Sequence, residues 1–278
     1  MLSVINTNNA SIVARNALRL NNREMSSAME QLSTGKRINS AVDDAAGLSI
    51  SEGMTAQIRG LGMAMRNAND GISVAQTMEG AAGQITNMLH RMRELAVQST
   101  SQTFSTDQRT YIDKEYQALK TQIKRTIAET NWNTLPVLGS TADITFKIQT
   151  GADESSGADD QYVNVVAKTI VDTNSLSATS MVTTDIKASA AIGEVDADIV
   201  AMNALRADLG SVVSRLSSVT DNIANRVQNL SESRSRITDA DYAQVTAELT
   251  RTQIIQQAGM AVLAQANQQP QAVLSLLK

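Results

Sequence analysis

The chain has 278 residues, enough for one or two domains with a real core. Aromatics make up only 3%, there are 2 prolines, and 24 basic residues face 28 acidic ones for a net charge of -4, which argues against general nucleic-acid or anionic-membrane binding. With no cysteine and 1 histidine, a disulfide framework, a thiol nucleophile, a thiolate metal site and a multi-histidine site are all excluded.

No stretch is apolar enough to span a bilayer, so membrane insertion is not expected. The opening residues Met1 to Asn9 lack the basic start and apolar run of a secretory signal, which leaves open export by a route that cleaves nothing.

The first predicted helix runs from about Asn8 to Gly35. Leu18, Met25 and Leu32 recur every seven residues, with Ala28 and Met29 filling the stripe, and Gly35 suits a helix end. Lys36 to Ala41 reads as a linker, after which Asp43 and Asp44 are placed to cap a second helix. Its stripe is the clearest in the chain: Leu61, Met65, Ala68, Ile72, Ala75, Met78, Ala82, Ile85, Leu89, Met92 and Ala96. The steps of three and four average about 3.5 residues, the coiled-coil value. Gly60, Gly62, Gly71, Gly80 and Gly83 interrupt it. Each costs about 1 kcal/mol in a helix, so the seam needs partners, and glycines would let helices approach closely.

Ser105 to Gln108 is a capping-box pattern for a third helix, striped by Ile112, Tyr116, Leu119, Ile123 and Ile127 and ending near Thr130. From Asn131 the period changes. Ile144, Phe146 and Ile148 alternate with polar residues, as do Val163, Val165 and Ala167, which predicts two short strands joined by the polar loop Gly151 to Asp160. Val171 to Ala191 is rich in Ser, Thr and Asp and reads as irregular surface. A fourth helix is expected over about Asp196 to Arg236, with Leu209, Leu216, Ile223, Leu230 and Ile237 in strict heptad spacing. A fifth runs from about Asp239 to Gln268 and carries Val245, Leu249, Ile255, Val262, Leu263 and Ala266, with Pro270 as its stop.

The predicted fold class is therefore mainly α: a long antiparallel helical coiled-coil hairpin with paired N- and C-terminal helices and a small β-hairpin region. The terminal helices each offer an apolar stripe but have no third helix nearby in sequence. Two amphipathic helices alone are marginal in water, and exposed apolar patches imply partner surfaces. Subunits meeting head-to-tail without closing a ring give a fibre, so the pattern points to a polymer.

Five motifs carry a family resemblance. They are Asn39 to Gly47 (NSAVDDAAG), Arg66 to Thr77 (RNANDGISVAQT), Arg93 to Gln98 (RELAVQ), Ser233 to Ala243 (SRSRITDADYA) and Gln256 to Gln268 (QQAGMAVLAQANQ), the last followed by a terminal LSLLK. In this order they resemble the bacterial flagellins over roughly residues 1–170 and 195–278. The resemblance implies a secreted, extracellular structural subunit of the flagellar filament, serving motility, that is not an enzyme and needs no cofactor. It implies an inner-tube helix and linker at 1–44, an outer-tube domain at 45–176 and 195–238, a short variable surface segment at 177–194 and a C-terminal inner-tube helix at 239–278. The large outer domains of longer flagellins would be absent.

On these expectations Leu18, Met25, Leu32, Val245, Leu249, Ile255, Val262 and Leu263 pack the inner tube. Leu61, Met65, Ile72, Ile85, Leu89, Leu209, Leu216, Ile223 and Leu230 form the outer-tube core. The implied partners are further copies of the chain, an export chaperone that binds the C-terminus, and the filament cap and hook-filament junction proteins. Positions matching those sensed by the Toll-like flagellin receptor of animal hosts are Arg91, Leu95 and Glu115.

The remaining chemistry-bearing residues have plainer readings. His90 sits on a charged helical turn and reads as solvated or at an interface, since a His-Glu-x-x-His metal site needs a second histidine. Asp153, Glu154, Asp159 and Asp160 lack the ligand spacing of a dedicated calcium loop. Met54, Met63, Met65, Met78, Met88 and Met92 read as helix packing before they read as a promiscuous groove. The Ser/Thr-rich stretches at 100–106 and 173–184 read as solvated loops or glycan acceptors. An adhesion protein on the same scaffold and a hook-filament junction protein are the competing readings. The intact C-terminal motif and the short middle favour a filament subunit.

Overall fold

A computed structural model describes residues 7–138, 144–151, 162–167 and 182–275. Residues 152–160 of the polar loop, with its four acidic residues, and most of the Ser/Thr-rich stretch before residue 182 lie outside the described residues. Five helices, α1 (Asn9–Thr34), α2 (Ala45–Thr100), α3 (Thr106–Glu129), α4 (Asp185–Thr238) and α5 (Tyr242–Ser275), account for most of the rest. Two antiparallel strand pairs, β1 (Asn131–Trp132) with β2 (Leu135–Pro136) and β3 (Ile144–Gln149) with β4 (Tyr162–Ala167), complete it. The fold is mainly α with a small β-hairpin of β3 and β4, as the periodicity predicts.

The described residues form two units, one drawn from 1–56 and 229–278, the other from 57–228. In the second, the α2 stripe faces inward: Ala68, Ala75, Met78, Ala82, Ile85, Leu89, Met92 and Ala96 are all buried. They meet Tyr116, Ile123 and Ile127 of α3 and Met202, Leu205, Leu209 and Leu216 of α4 in one apolar cluster. Burying a Leu, Ile or Met side chain contributes about 1.5–3 kcal/mol, which is what offsets the glycines of α2. Of those glycines, Gly71 alone among Gly62, Gly71, Gly80 and Gly83 sits in a tight approach. A Cβ on the other three would meet nothing within 4 Å. Close helix approach is therefore not the general role of glycine on this seam.

The ends of α3 follow its sequence. Ser105 accepts from the Gln108 N–H while Gln108 Oε1 accepts from the Ser105 N–H, a complete capping box. β3 and β4 pair in the register Phe146↔Val165 and Ile148↔Val163. Val163 and Val165 are buried, while Thr145, Lys147 and Asn164 face water.

Three features differ from expectation. First, α4 begins at Asp185 rather than near 196. Ala188, Ala191 and Val195 are buried and continue the three-four spacing into Met202, Leu205 and Leu209. Residues 185–194 are thus packed helix and not irregular surface, and small apolar residues among polar ones had hidden the stripe. Second, β1 and β2 form a two-residue hairpin that the apolar pattern did not signal. Its central residues Asn133 (φ 44) and Thr134 (φ 69) are both left-handed, as a type I′ turn requires. Third, α5 runs through Pro270 to Ser275 instead of stopping before it.

Candidate functional site

The first unit is built on the pairing of α1 with α5. Asn8 caps α1 by accepting from the Ser11 N–H at 3.1 Å, and Gly35, at φ 71, ends it in the left-handed region that glycine favours. From there, residues 11, 14, 18, 21, 25, 28 and 32 advance in steps of three and four, and all are buried or half-buried. On α5 the matching set is Val245, Leu249, Thr252, Gln256, Gly259, Leu263 and Ala266. This is a heptad seam, but a polar and small one: Ser11, Asn21 and Thr252 are buried in it.

Directional bonds fix the pairing. Asn21 Nδ2 donates to the Thr252 carbonyl at 2.8 Å, Gln256 Nε2 donates to Asn22 Oδ1 at 3.2 Å, and Tyr242 Oη donates to the Leu32 carbonyl at 3.3 Å. Leu18 packs against Gly259, where a Cβ would come within 2.7 Å of Leu18 Cδ2. Sequence reading named the apolar seam residues but missed Asn21, Thr252 and Gly259. The signal was present in the phase of the repeat, which runs through polar and small residues as well as apolar ones.

Beside this pair, the linker is pinned to the end of α4. The Arg37 N–H donates to the Thr238 carbonyl at 2.7 Å, the Arg37 guanidinium to the Ile237 carbonyl at 2.7 Å, and the Ala240 N–H to the Gly35 carbonyl at 3.0 Å. The two expected caps of α2 divide their work. Asp44 accepts from the Gly47 N–H at 2.9 Å, whereas Asp43 accepts from the Ser40 and Asn39 N–H groups and holds the turn ahead of the helix. Those backbone bonds, Ser40 before Asn39, keep the Asp43 carboxyl below the usual aspartate value.

The expected inner-tube residues separate into two sets. Leu18, Met25, Leu32, Val245, Leu249 and Leu263 lie in the α1–α5 seam. Ile255 (43% exposed) and Val262 (60% exposed), seven residues apart, face away from it. On α1, Val13 and Leu20 are likewise seven apart and exposed. Ile12, Met29, Ile254 and Met260 are exposed too. Among the described residues each helix of the pair thus carries a second apolar stripe that is exposed, which is the feature an assembly surface needs.

In the other unit, Leu61, Ile85, Leu89, Leu209, Leu216 and Ile223 are buried and Met65 and Ile72 are half-buried; in the first unit Leu230 is half-buried. Arg91 and Glu115 are exposed and joined by an ion pair of 2.8 Å, with Glu94 also on the guanidinium at 3.0 Å. Glu115 first, then Glu94, holds Arg91 above its ordinary value. Leu95 is different: it is 2% exposed and part of the core, so of the three positions only Arg91 and Glu115 present side chains to solvent. His90 is exposed. Among the described residues there is no cluster of three metal-ligating side chains, and no helix is long and apolar enough to cross a membrane.

The chain is similar to known proteins over both of its ends. The profile of the bacterial flagellin N-terminal helical region matches residues 5–143, and that of the C-terminal helical region matches 192–277. A flagellin of Halalkalibacterium halodurans is 42% identical over 99% of this chain and 100% of its own. The flagellar filament 33 kDa core protein of Treponema phagedenis is 36% identical over 99% of this chain and 100% of its own. The crystal structure of Bacillus cereus flagellin aligns at 30% identity and a TM-score of 0.48, covering 57% of this chain and 88% of that one. With both helical ends matched and a relative of similar span aligned from end to end, the chain belongs to the bacterial flagellin family as a short form without a large variable domain: a structural, non-enzymatic subunit that self-assembles into the extracellular flagellar filament.

Proposed function

We propose that the second apolar stripes of α1 and α5 are the surfaces through which copies of this chain join in the filament. The observation that carries the reading is the pair of stripes Val13/Leu20 and Ile255/Val262, solvent-exposed on helices that already use another face for each other. Packed between copies, each such side chain would leave water and contribute about 1.5–3 kcal/mol. In this reading residues 1–44 and 239–278 line the inner tube and 45–176 with 195–238 form the outer tube. The short segment at 177–194 is the remnant of the variable region, and its helical part, with Ala188 and Ala191 buried, belongs to the outer-tube packing.

Electron microscopy of purified protein after seeding or salting tests this. The full chain should give long tubular fibres, and removal of 1–44 and 239–278 should leave a soluble helical monomer. Fibres from the trimmed chain would end the proposal.

The family resemblance supports three further partners: an export chaperone on the C-terminal helix, whose exposed Ile254, Met260 and Val262 need cover before assembly, and the filament cap and hook-filament junction proteins at the two ends of the polymer. For the host Toll-like flagellin receptor, we infer a contact on the Arg91–Glu115 pair, with Leu95 supporting α2 from within. A receptor-reporter assay in which Arg91→Ala leaves the response of monomer unchanged would remove that contact.

A further inference from the structure

The continuation of α5 through Pro270 needs an explanation, and Asn8 supplies it. In an α-helix each N–H bonds to the carbonyl four residues earlier. Proline has no N–H, so the carbonyl of Ala266 loses its helical donor. Ala266 is 8% exposed, too buried for bulk water to serve it freely, and an unpaired buried carbonyl is costly. Asn8 Nδ2 donates to that carbonyl at 2.8 Å, across 258 residues of sequence. The other end of the same amide, Oδ1, accepts from the Ser11 N–H at 3.1 Å as the N-cap of α1. One partner is an N–H and the other a carbonyl, so the orientation of the amide is unambiguous.

We propose that Asn8 is a positioning residue for the axial register of α1 on α5 and that it carries α5 past Pro270 into the filament. One side chain closes the start of one helix and replaces the donor missing from the other. A slip of one residue, about 1.5 Å along the axis, breaks one bond or both. Asn21 also bonds across the seam, but the Thr252 carbonyl it meets lies inside α5, where the Gln256 N–H stands four residues on. The Ala266 carbonyl faces a proline at that position, and Asn8 supplies the donor. The proposal rests on the reading that α1 and α5 enter the filament as a pair.

The test is a double-mutant cycle on the full-length chain. Asn8→Ser keeps a good N-cap acceptor and removes the amide donor. Pro270→Ala gives α5 its own N–H for the Ala266 carbonyl. The readouts are the critical concentration for polymerisation by sedimentation and amide exchange in peptides following position 266 in filaments. Asn8→Ser alone should raise the critical concentration about three- to tenfold, as expected for one lost hydrogen bond, and speed exchange after 266. In the Pro270→Ala background the same change should alter either readout by less than about twofold. Equal effects in both backgrounds, or no effect of Asn8→Ser alone, would overturn the proposal. If Asn8→Ser does not polymerise at all, recovery in the Pro270→Ala background supports it and continued failure overturns it. End trimming tests the filament reading, whereas coupling between positions 8 and 270 tests this one.

Discussion

Gly71 lies against Ile148: a Cβ at position 71 would come within 2.9 Å of Ile148 Cγ1 and 3.1 Å of Leu216 Cδ1. Helix α2, strand β3 and helix α4 therefore converge on a place where the helix offers only backbone. Gly80 and Gly83 of the same helix face open space. Alanine at an open helical position gains about 1 kcal/mol in propensity, whereas overpacking costs about 1–3 kcal/mol. Gly80→Ala should raise the stability of the monomer by about 0.5–1 kcal/mol, and Gly71→Ala should lower it despite the same propensity gain. Thermal or denaturant unfolding compares the two. Stabilisation by both would mean that β3 yields easily at this point.

Val182 is pinned at both of its backbone groups. Ser99 Oγ donates to its carbonyl at 2.5 Å, and its N–H donates to Asp113 Oδ1 at 2.9 Å. Ser99 and Val182 are fully buried. Ser99→Ala leaves a buried carbonyl unpaired and should destabilise the monomer by about 1–3 kcal/mol. Asp113→Ala should act in the same direction. A loss for Ser99→Ala below about 0.5 kcal/mol in denaturant unfolding would show that another donor, such as water, replaces the hydroxyl.

Asn21 gives its amide hydrogens to the Thr252 carbonyl, yet its own Oδ1 is buried without a hydrogen-bond partner. A buried asparagine at a seam position specifies register at a cost in stability. Asn21→Leu should therefore lower the critical concentration for assembly while loosening the register, seen as mixed filament diameters by electron microscopy. A raised critical concentration would mean that the single hydrogen bond outweighs the unmet acceptor.

Asp43 ties the linker turn through bonds from Ser40 and Asn39, which depress its pKa in the folded state. A depressed carboxylate contributes stability above its unfolded value, and that contribution is lost as pH falls through the folded value. The turn at 39–43 should hold at neutral pH and open only below the ordinary aspartate value of about 3.9, where the folded carboxyl takes up its proton. Amide exchange at Asn39 and Ser40 reads this directly. The acid-induced opening should be absent in Asp43→Asn, whose side chain does not titrate in this range.

Much of this protein is legible in its sequence. The heptad steps of α2 from Leu61 to Ala96, the capping box at Ser105, the glycine end of α1 at Gly35 and the alternation of Phe146 and Ile148 were all visible, because each is a local rule paid within a few residues. The start of α4 was obscured, since Ala188 and Ala191 carry too little apolar area to stand out among Ser, Thr and Asp. On α5, apolar residues occur all round the helix, so composition could not say that Leu249 and Leu263 face α1 while Ile255 and Val262 face away. Tertiary structure decided that face, because the choice depends on what α1 offers opposite. It also decided that Pro270 lies inside a helix: the penalty for proline is local, but the amide that relieves it belongs to Asn8, at the other end of the chain.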